Sequence, residues 1–223
     1  MDPNHHDPTA QAGIEVQRFV LGPFETNCYL VQEVGDPACW IVDAGFDPEP
    51  MLAAIREQDL EPTQLVLTHA HIDHIAGIEQ VRAAFPDLPI LIHEAETAFL
   101  TNPALNLSTM MGMPLSAPEA TGTLAQGDIL TLTTESWRVL FTPGHSPGGI
   151  TLYHERSGNA LVGDTLFLGS IGRFDVPTSN EQQLYASIRE QLYTLPDEVH
   201  VFPGHGPPTT IGQEKRNNPF VRL

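Results

Sequence analysis

Leu65-Val66-Leu67-Thr68-His69-Ala70-His71-Ile72-Asp73-His74 runs from an apolar approach directly into four metal-capable side chains. Imidazole nitrogens and a carboxylate oxygen are donors that zinc, iron and manganese accept. In an extended or turning segment His69 and His71 can point the same way. Asp73 and His74 then begin the next element and turn toward a neighbouring point. One short stretch could therefore serve two adjacent metal ions, or one ion with an acid–base group beside it. A solvated polar loop would not follow so abruptly on an apolar strand, and the stretch is read as a metal site.

The chain of 223 residues fits one domain, and its 41% hydrophobic content is enough for a core. Residues 1–13, with Asp2, His5, His6, Asp7 and two prolines, lack a basic region followed by an apolar one. They are expected to form a flexible leader rather than a signal peptide, leaving 14–223 as a single domain. No apolar run is long enough to span a bilayer, so no membrane partner is expected. The net charge of −18, with only ten Lys and Arg, argues against nucleic acid as a partner. It also makes any cation near the site, above all Arg173, of interest for an anionic substrate. Cys28 and Cys39 both lie in apolar, strand-like runs, which suggests buried thiols in a reduced, cytoplasmic protein.

The chain reads as α+β. Short β-like runs at 16–21, 28–33 and 40–43 precede a helix over 50–58 and a short strand at 65–68. Asp73 stands where a helix N-cap is expected, and apolar residues continue at helical spacing to Pro86. A strand at 88–93 and a short helix at 95–100 lead into an irregular, Met- and Pro-rich insertion over 101–125. A loop of that length inside a compact domain suggests a lid or a substrate wall. Strands resume at 129–133, 137–142, 149–153 and 160–163, followed by an amphipathic helix over 181–192 and a last strand at 199–202. This order suggests two sheet-bearing halves with helices outside.

Three further motifs each place an apolar strand before a Gly-rich turn and a ligand-type residue. They are Thr142-Pro143-Gly144-His145-Ser146-Pro147-Gly148, Val162-Gly163-Asp164-Thr165 and Phe202-Pro203-Gly204-His205-Gly206. Loops at strand ends are where a rigid scaffold presents functional groups. With the first cluster they supply five histidines and two aspartates, a set suited to two metals sharing a carboxylate. His93, His154 and His200 lack such turns and are read as structural.

These four ordered motifs resemble the metallo-β-lactamase superfamily, and within it the glyoxalase II-like hydrolases of the short bacterial type. Gly22-Pro23-Phe24-Glu25-Thr26-Asn27-Cys28-Tyr29 and Asn218-Pro219-Phe220 add to the likeness. The resemblance implies an αββα four-layer sandwich with the site at the edge of the two sheets. It implies that His69, His71 and His145 hold one metal, that Asp73, His74 and His205 hold a second, and that Asp164 bridges them. Asp43 would support the metal-binding loop from behind. Two divalent ions are implied, zinc foremost, with iron or manganese as alternatives, and Asp73 and Asp164 would take part in catalysis.

The implied reaction is hydrolysis of a small-molecule thioester such as S-lactoylglutathione, with water activated between the metals. Gly169-Ser170-Ile171-Gly172-Arg173-Phe174 resembles the family's substrate loop. Arg173 would pair a substrate carboxylate or, equally, form an ion pair with Asp175. A mononuclear iron persulfide dioxygenase is the alternative, and hydrolysis of another ester, lactone or thioester a further one. A β-lactamase is disfavoured because Asp164 stands where such enzymes resemble one another in placing cysteine.

Overall fold

Alternation within the strands determines the layering. In β3 (Thr26–Glu33) Cys28 and Leu30 point to one side, and Tyr29 and Val31 to the other. Strand β4 (Ala38–Val42) repeats the division, with Ile41 opposite Trp40 and Val42, as does the end of β5 (Glu61–Val66), with Leu65 opposite Val66. A strand that is apolar on both faces must be covered on both. The second sheet does the same: β11 (Asn159–Gly163) sends Leu161 one way and Ala160 and Val162 the other. Three buried clusters result, one between the sheets and one beneath the helices on each outer face. The architecture is therefore the αββα sandwich.

The computed structural model describes residues 9–11 and 13–222. The first sheet has seven strands in sequence order: β1 (Thr9–Gln11), β2 (Ile14–Leu21), β3, β4, β5, β6 (Ile90–His93) and β7 (Gly122–Leu124). Pairing is antiparallel as far as β4 and parallel from β4 to β7. The second sheet has six strands, built from β8 (Ile129–Leu132), β9 (Glu135–Phe141), β10 (Ile150–His154), β11, β14 (His200–Pro203) and β15 (Thr209–Thr210). A small hairpin, β12 (Leu166–Phe167) and β13 (Ser170–Ile171), stands apart. Helices α1 (Glu49–Glu57), α2 (Ile72–Ile75), α3 (Ile78–Ala84) and α4 (Thr97–Thr101) accompany the first half, and α5 (Glu181–Ser187) and α6 (Ile211–Asn217) the second. No helix among the described residues is long and apolar enough to cross a membrane.

Several expectations need correction. Thr9–Gln11, expected within a flexible leader, instead pair with β2 as a strand; residues 1–8 and 12 of that expected leader lie outside the described residues. Asp73 is not an N-cap: His71 holds that position in extended backbone, without a side-chain cap bond, and Asp73 lies inside α2. The single helix expected after it is two. Gly77 breaks it by packing so tightly on the Gly45 carbonyl that any Cβ would collide. The helix over 181–192 ends in a π turn, Ile188–Leu192, which keeps Ile188 and Leu192 buried. Cys28 and Cys39 are buried free thiols, as their context suggested.

The insertion over 101–125 is ordered around Asn106, which is fully buried. Its amide donates to the carbonyls of Phe99 and Leu115, and its Oδ1 accepts from Ser108 N–H. Between the sheets Trp40 and Trp137 meet at 6.1 Å between ring centroids, both fully buried. Trp137→Ala is expected to lower stability by about 3–5 kcal/mol, since it leaves a cavity the flanking strands cannot close. The guanidinium unfolding midpoint would measure it.

Candidate metal centre

All four ligand-bearing segments leave the C-terminal ends of strands at one edge of the sandwich. His69 to His74 follow β5, His145 follows β9, Asp164 follows β11 and His205 follows β14. Asp43 follows β4, where its backbone adopts a left-handed φ of 61°. The seven expected ligands thereby converge. His69, His71 and His145 form one group, His69, His74 and Asp164 a second, and Asp73, His74 and His205 a third, with ligand atoms in each lying within 4.8 Å of one another.

The spacings suit a small dication. His71 Nδ1 lies 2.9 Å from His145 Nε2. His205 Nε2 is 3.1 Å from Asp73 Oδ2 and 3.5 Å from Asp164 Oδ2. Asp164 reaches both sides, with Oδ1 3.4 Å from His74 Nε2 and Oδ2 3.5 Å from His145 Nε2. Donors at about 2.0–2.1 Å around a tetrahedral zinc stand roughly 3.3 Å apart, which is this range. His69 Nε2, His74 Nε2 and Asp164 Oδ1 are buried with no hydrogen-bond partner in the protein. Leaving such atoms unmade costs about 1–3 kcal/mol each, and a cation among them would satisfy all three. The residues fit metal ions.

The ring tautomers are fixed from outside. His145 donates Nδ1–H to the Arg173 carbonyl at 2.9 Å, and His74 donates Nδ1–H to Asp43 Oδ2 at 2.8 Å. Asp43 also accepts the Thr68 N–H and hydroxyl, both at 2.7 Å. The Thr68 hydroxyl in turn faces His69 Nδ1 at 3.2 Å. Each of these three rings is left presenting Nε2 to the centre. Partners of this kind orient metal-binding imidazoles and raise their basicity.

Burial pushes the His69 ring down and His71 down to about 3, so both stay neutral with lone pairs available. His74 behaves oppositely: burial opposes its charge, but Asp73, Asp164 and Asp43 outweigh burial and push it up. Asp73 is held down at about 2, because His74 and His205 overcome its burial. The carboxylates that push His74 up supply the negative field that would hold a dication.

Three supporting residues carried no assigned role in the sequence reading. The Thr26 hydroxyl donates to Asp73 Oδ2 at 3.1 Å, and Asn27 Nδ2 donates to the Pro203 and Gly206 carbonyls, both at 2.8 Å, on either side of His205. Glu96, fully buried, accepts Ala70 N–H at 2.5 Å and Gly148 N–H at 2.8 Å, joining the loops that carry His69, His71 and His145. Thr26 and Asn27 lie in a stretch noted for its resemblance, whereas Glu96 looks in sequence like a surface acid of a short helix. Gly204 is required by packing, since a Cβ there would strike Asp164 Oδ1 and His74.

A cavity of about 250 Å³ opens over the ligands. Its walls are mostly apolar, from Phe24, Ile72, Leu107, Met111, Phe167 and Val176, and Arg173 stands on its wall. Arg173 is mostly exposed and engages Asp175 through two bonds of 2.9 and 3.2 Å, so the ion-pair reading of this residue is realised. His154 is bonded between Ser157 and Glu135, and His93 stacks on Phe141, both apart from the ligand group. Lys215 and Arg216 pair with Asp197.

Residues 21–205 match the metallo-beta-lactamase superfamily model. The chain is 35% identical over 211 residues to the hydroxyacylglutathione hydrolase GloC of Haemophilus influenzae, covering 93% of this chain and 98% of that one. Among solved structures it is similar to the BLEG-1 B3 metallo-beta-lactamase, with a TM-score of 0.88 at 38% identity over 92% of this chain and 99% of that one. It is likewise similar to TTHA1623 in a di-iron-bound form, with a TM-score of 0.81 at 36% identity and the same coverage.

Asp43→Asn tests the support behind His74, because asparagine tolerates the left-handed backbone and only the carboxylate is lost. Chelator competition is expected to show metal affinity reduced by about 10- to 100-fold. Circular dichroism should remain unchanged.

Proposed function

The chain belongs to the metallo-beta-lactamase superfamily, and from that premise we propose that it is a two-metal hydrolase acting on a thioester of the S-lactoylglutathione type. The observation that carries this reading is Asp164, whose two oxygens reach toward His74 on one side and toward His145 and His205 on the other. That placement supports two ion positions, which would share this one carboxylate. Divalent ions, when bound there, supply the Lewis acidity that makes water nucleophilic at neutral pH and takes up charge on a carbonyl oxygen.

The chain's own residues do the positioning. No serine or cysteine lines the cavity, so water is the nucleophile this site accommodates. Asp73, ionised and facing the cavity, is placed to orient that water, while Thr26 fixes the carboxylate. Apolar walls exclude bulk water from the carbonyl. A thiolate leaves with little acid assistance, which suits a cavity whose histidines are committed to the centre. The likeness to GloC supports the thioester reading. The likeness to BLEG-1 favours a β-lactam as a second substrate class, despite Asp164. An iron dioxygenase would need only one ion, leaving the grouping of Asp73, His74 and His205 without use.

Metal content of protein purified without added metal, read beside S-lactoylglutathione and β-lactam hydrolysis, tests this reading. About two equivalents of zinc, iron or manganese with rapid thioester loss are expected. One iron, with oxygen uptake on glutathione persulfide and no thioester loss, would replace it with the dioxygenase. Asp164→Ala is expected to remove one equivalent and nearly all turnover; full metal content and activity in that variant would remove the bridging role.

A further inference from the structure

Almost every buried apolar side chain packs into one of the three cores. Among the described residues the exceptions are Cys39, Ile72, Leu107 and Val176, and the last three, 2%, 5% and 8% exposed, all line the cavity over the metal centre. Their burial therefore serves the cavity wall and not the sandwich. Leu107 is the most telling of them, because its backbone is left-handed, with φ of 68°. A bulky residue is rarely placed there, and such strain persists only where the surroundings impose it.

The surroundings do impose it. The buried Asn106 side chain pins the strap on the Phe99 and Leu115 carbonyls, and Ser108 N–H returns to Asn106 Oδ1. The Asn106 carbonyl accepts Ile72 N–H at 2.9 Å, fastening the strap to the start of the helix that carries Asp73 and His74. Leu107 is thereby held beside Ile72, and Met111, half-exposed, extends the same wall outward.

We infer that this wall is an apolar specificity subsite, with Leu107 its determining residue, and that the preferred substrate carries an aliphatic or aromatic group beside the scissile carbonyl. The inference rests on the hydrolase reading and deepens it. The side chains of Leu107 and Ile72 offer no hydrogen-bond partner to an α-hydroxyl and Met111 only the weak acceptor of its thioether, so a lactoyl group gains little there that an aliphatic acyl group lacks. The apolar group could belong to the acyl half or to the thiol half of the substrate, and the wall recognises the same chemistry in either case.

Two arms on metal-loaded protein separate these sources. In one, kcat/KM is measured for glutathione thioesters with acyl groups lengthening from acetyl to hexanoyl. In the other, acetyl is kept while the thiol changes from glutathione to benzyl mercaptan. The arm that rises identifies the half that meets the wall, and a rise of about three- to fourfold per buried methylene is expected. Leu107→Asn, which suits the left-handed backbone, should flatten that rise. Met111→Ser should make it shallower, and at its half-exposed position it will fold even if the first variant does not.

Loss of turnover on every thioester would remove the hydrolase reading alone. Calorimetric binding of S-methyl- and S-hexylglutathione, which needs no turnover, would still report on the wall. Equal affinities in the wild type, or a preference for the longer chain that survives both substitutions, would overturn the inference.

Discussion

Seven candidate ligand side chains meet at one edge of the two sheets, and the hydrogen bonds of Asp43 hold the loop that carries four of them. The Asp43 carboxylate accepts three hydrogen bonds, two from Thr68 and one from His74. A carboxylate without partners would be untenable at 1% exposure. With them it sets the course of the chain as it leaves β5 and the orientation of two rings. The left-handed backbone at Asp43 turns the carboxylate back toward that loop. Remove this interaction and neither His69 nor His74 has a defined face toward the centre.

The arrangement divides the work of holding the site between the two sheets. Glu96 ties the loop after β5 to the loop after β9, while Thr26 and Asn27 tie Asp73 and the His205 turn to β3. Asn27 N–H also donates to the Gly204 carbonyl at 2.7 Å, and Thr26 bridges His205. These contacts span the seam where no sheet ladder runs. The ligand side of the seam is tied by these hydrogen bonds, whereas the wall includes Met111, a side chain with three rotatable bonds.

Much of this was legible in the sequence because ligand residues cluster beside glycines and follow apolar strands. His69, His71, Asp73, His74, His145, Asp164 and His205 were all named from those motifs, and they do converge. Glu96 was not, because its burial depends on two backbone N–H groups distant in the chain, a contact that no local pattern encodes. The same limit applies to the break at Gly77, where the N–H leaves the helical ladder for the Ala44 carbonyl and close contact with Gly45 admits no side chain. Periodicity showed one helix there, and tertiary packing made two. Arg173 was ambiguous for a different reason: Asp175, two residues away, satisfies it locally, and that pairing is as readable as the resemblance that suggested a substrate contact.

His205 follows β14, the parallel neighbour of β11 near the end of the chain, whereas the other six ligands precede it. During synthesis the histidines of the β5 and β9 loops leave the ribosome well before that strand does. The grouping of Asp73, His74 and His205 cannot be complete until β14 has emerged and docked. A nascent chain that captured a metal early would do so with a partial ligand set, and the finished centre is available only to the folded protein.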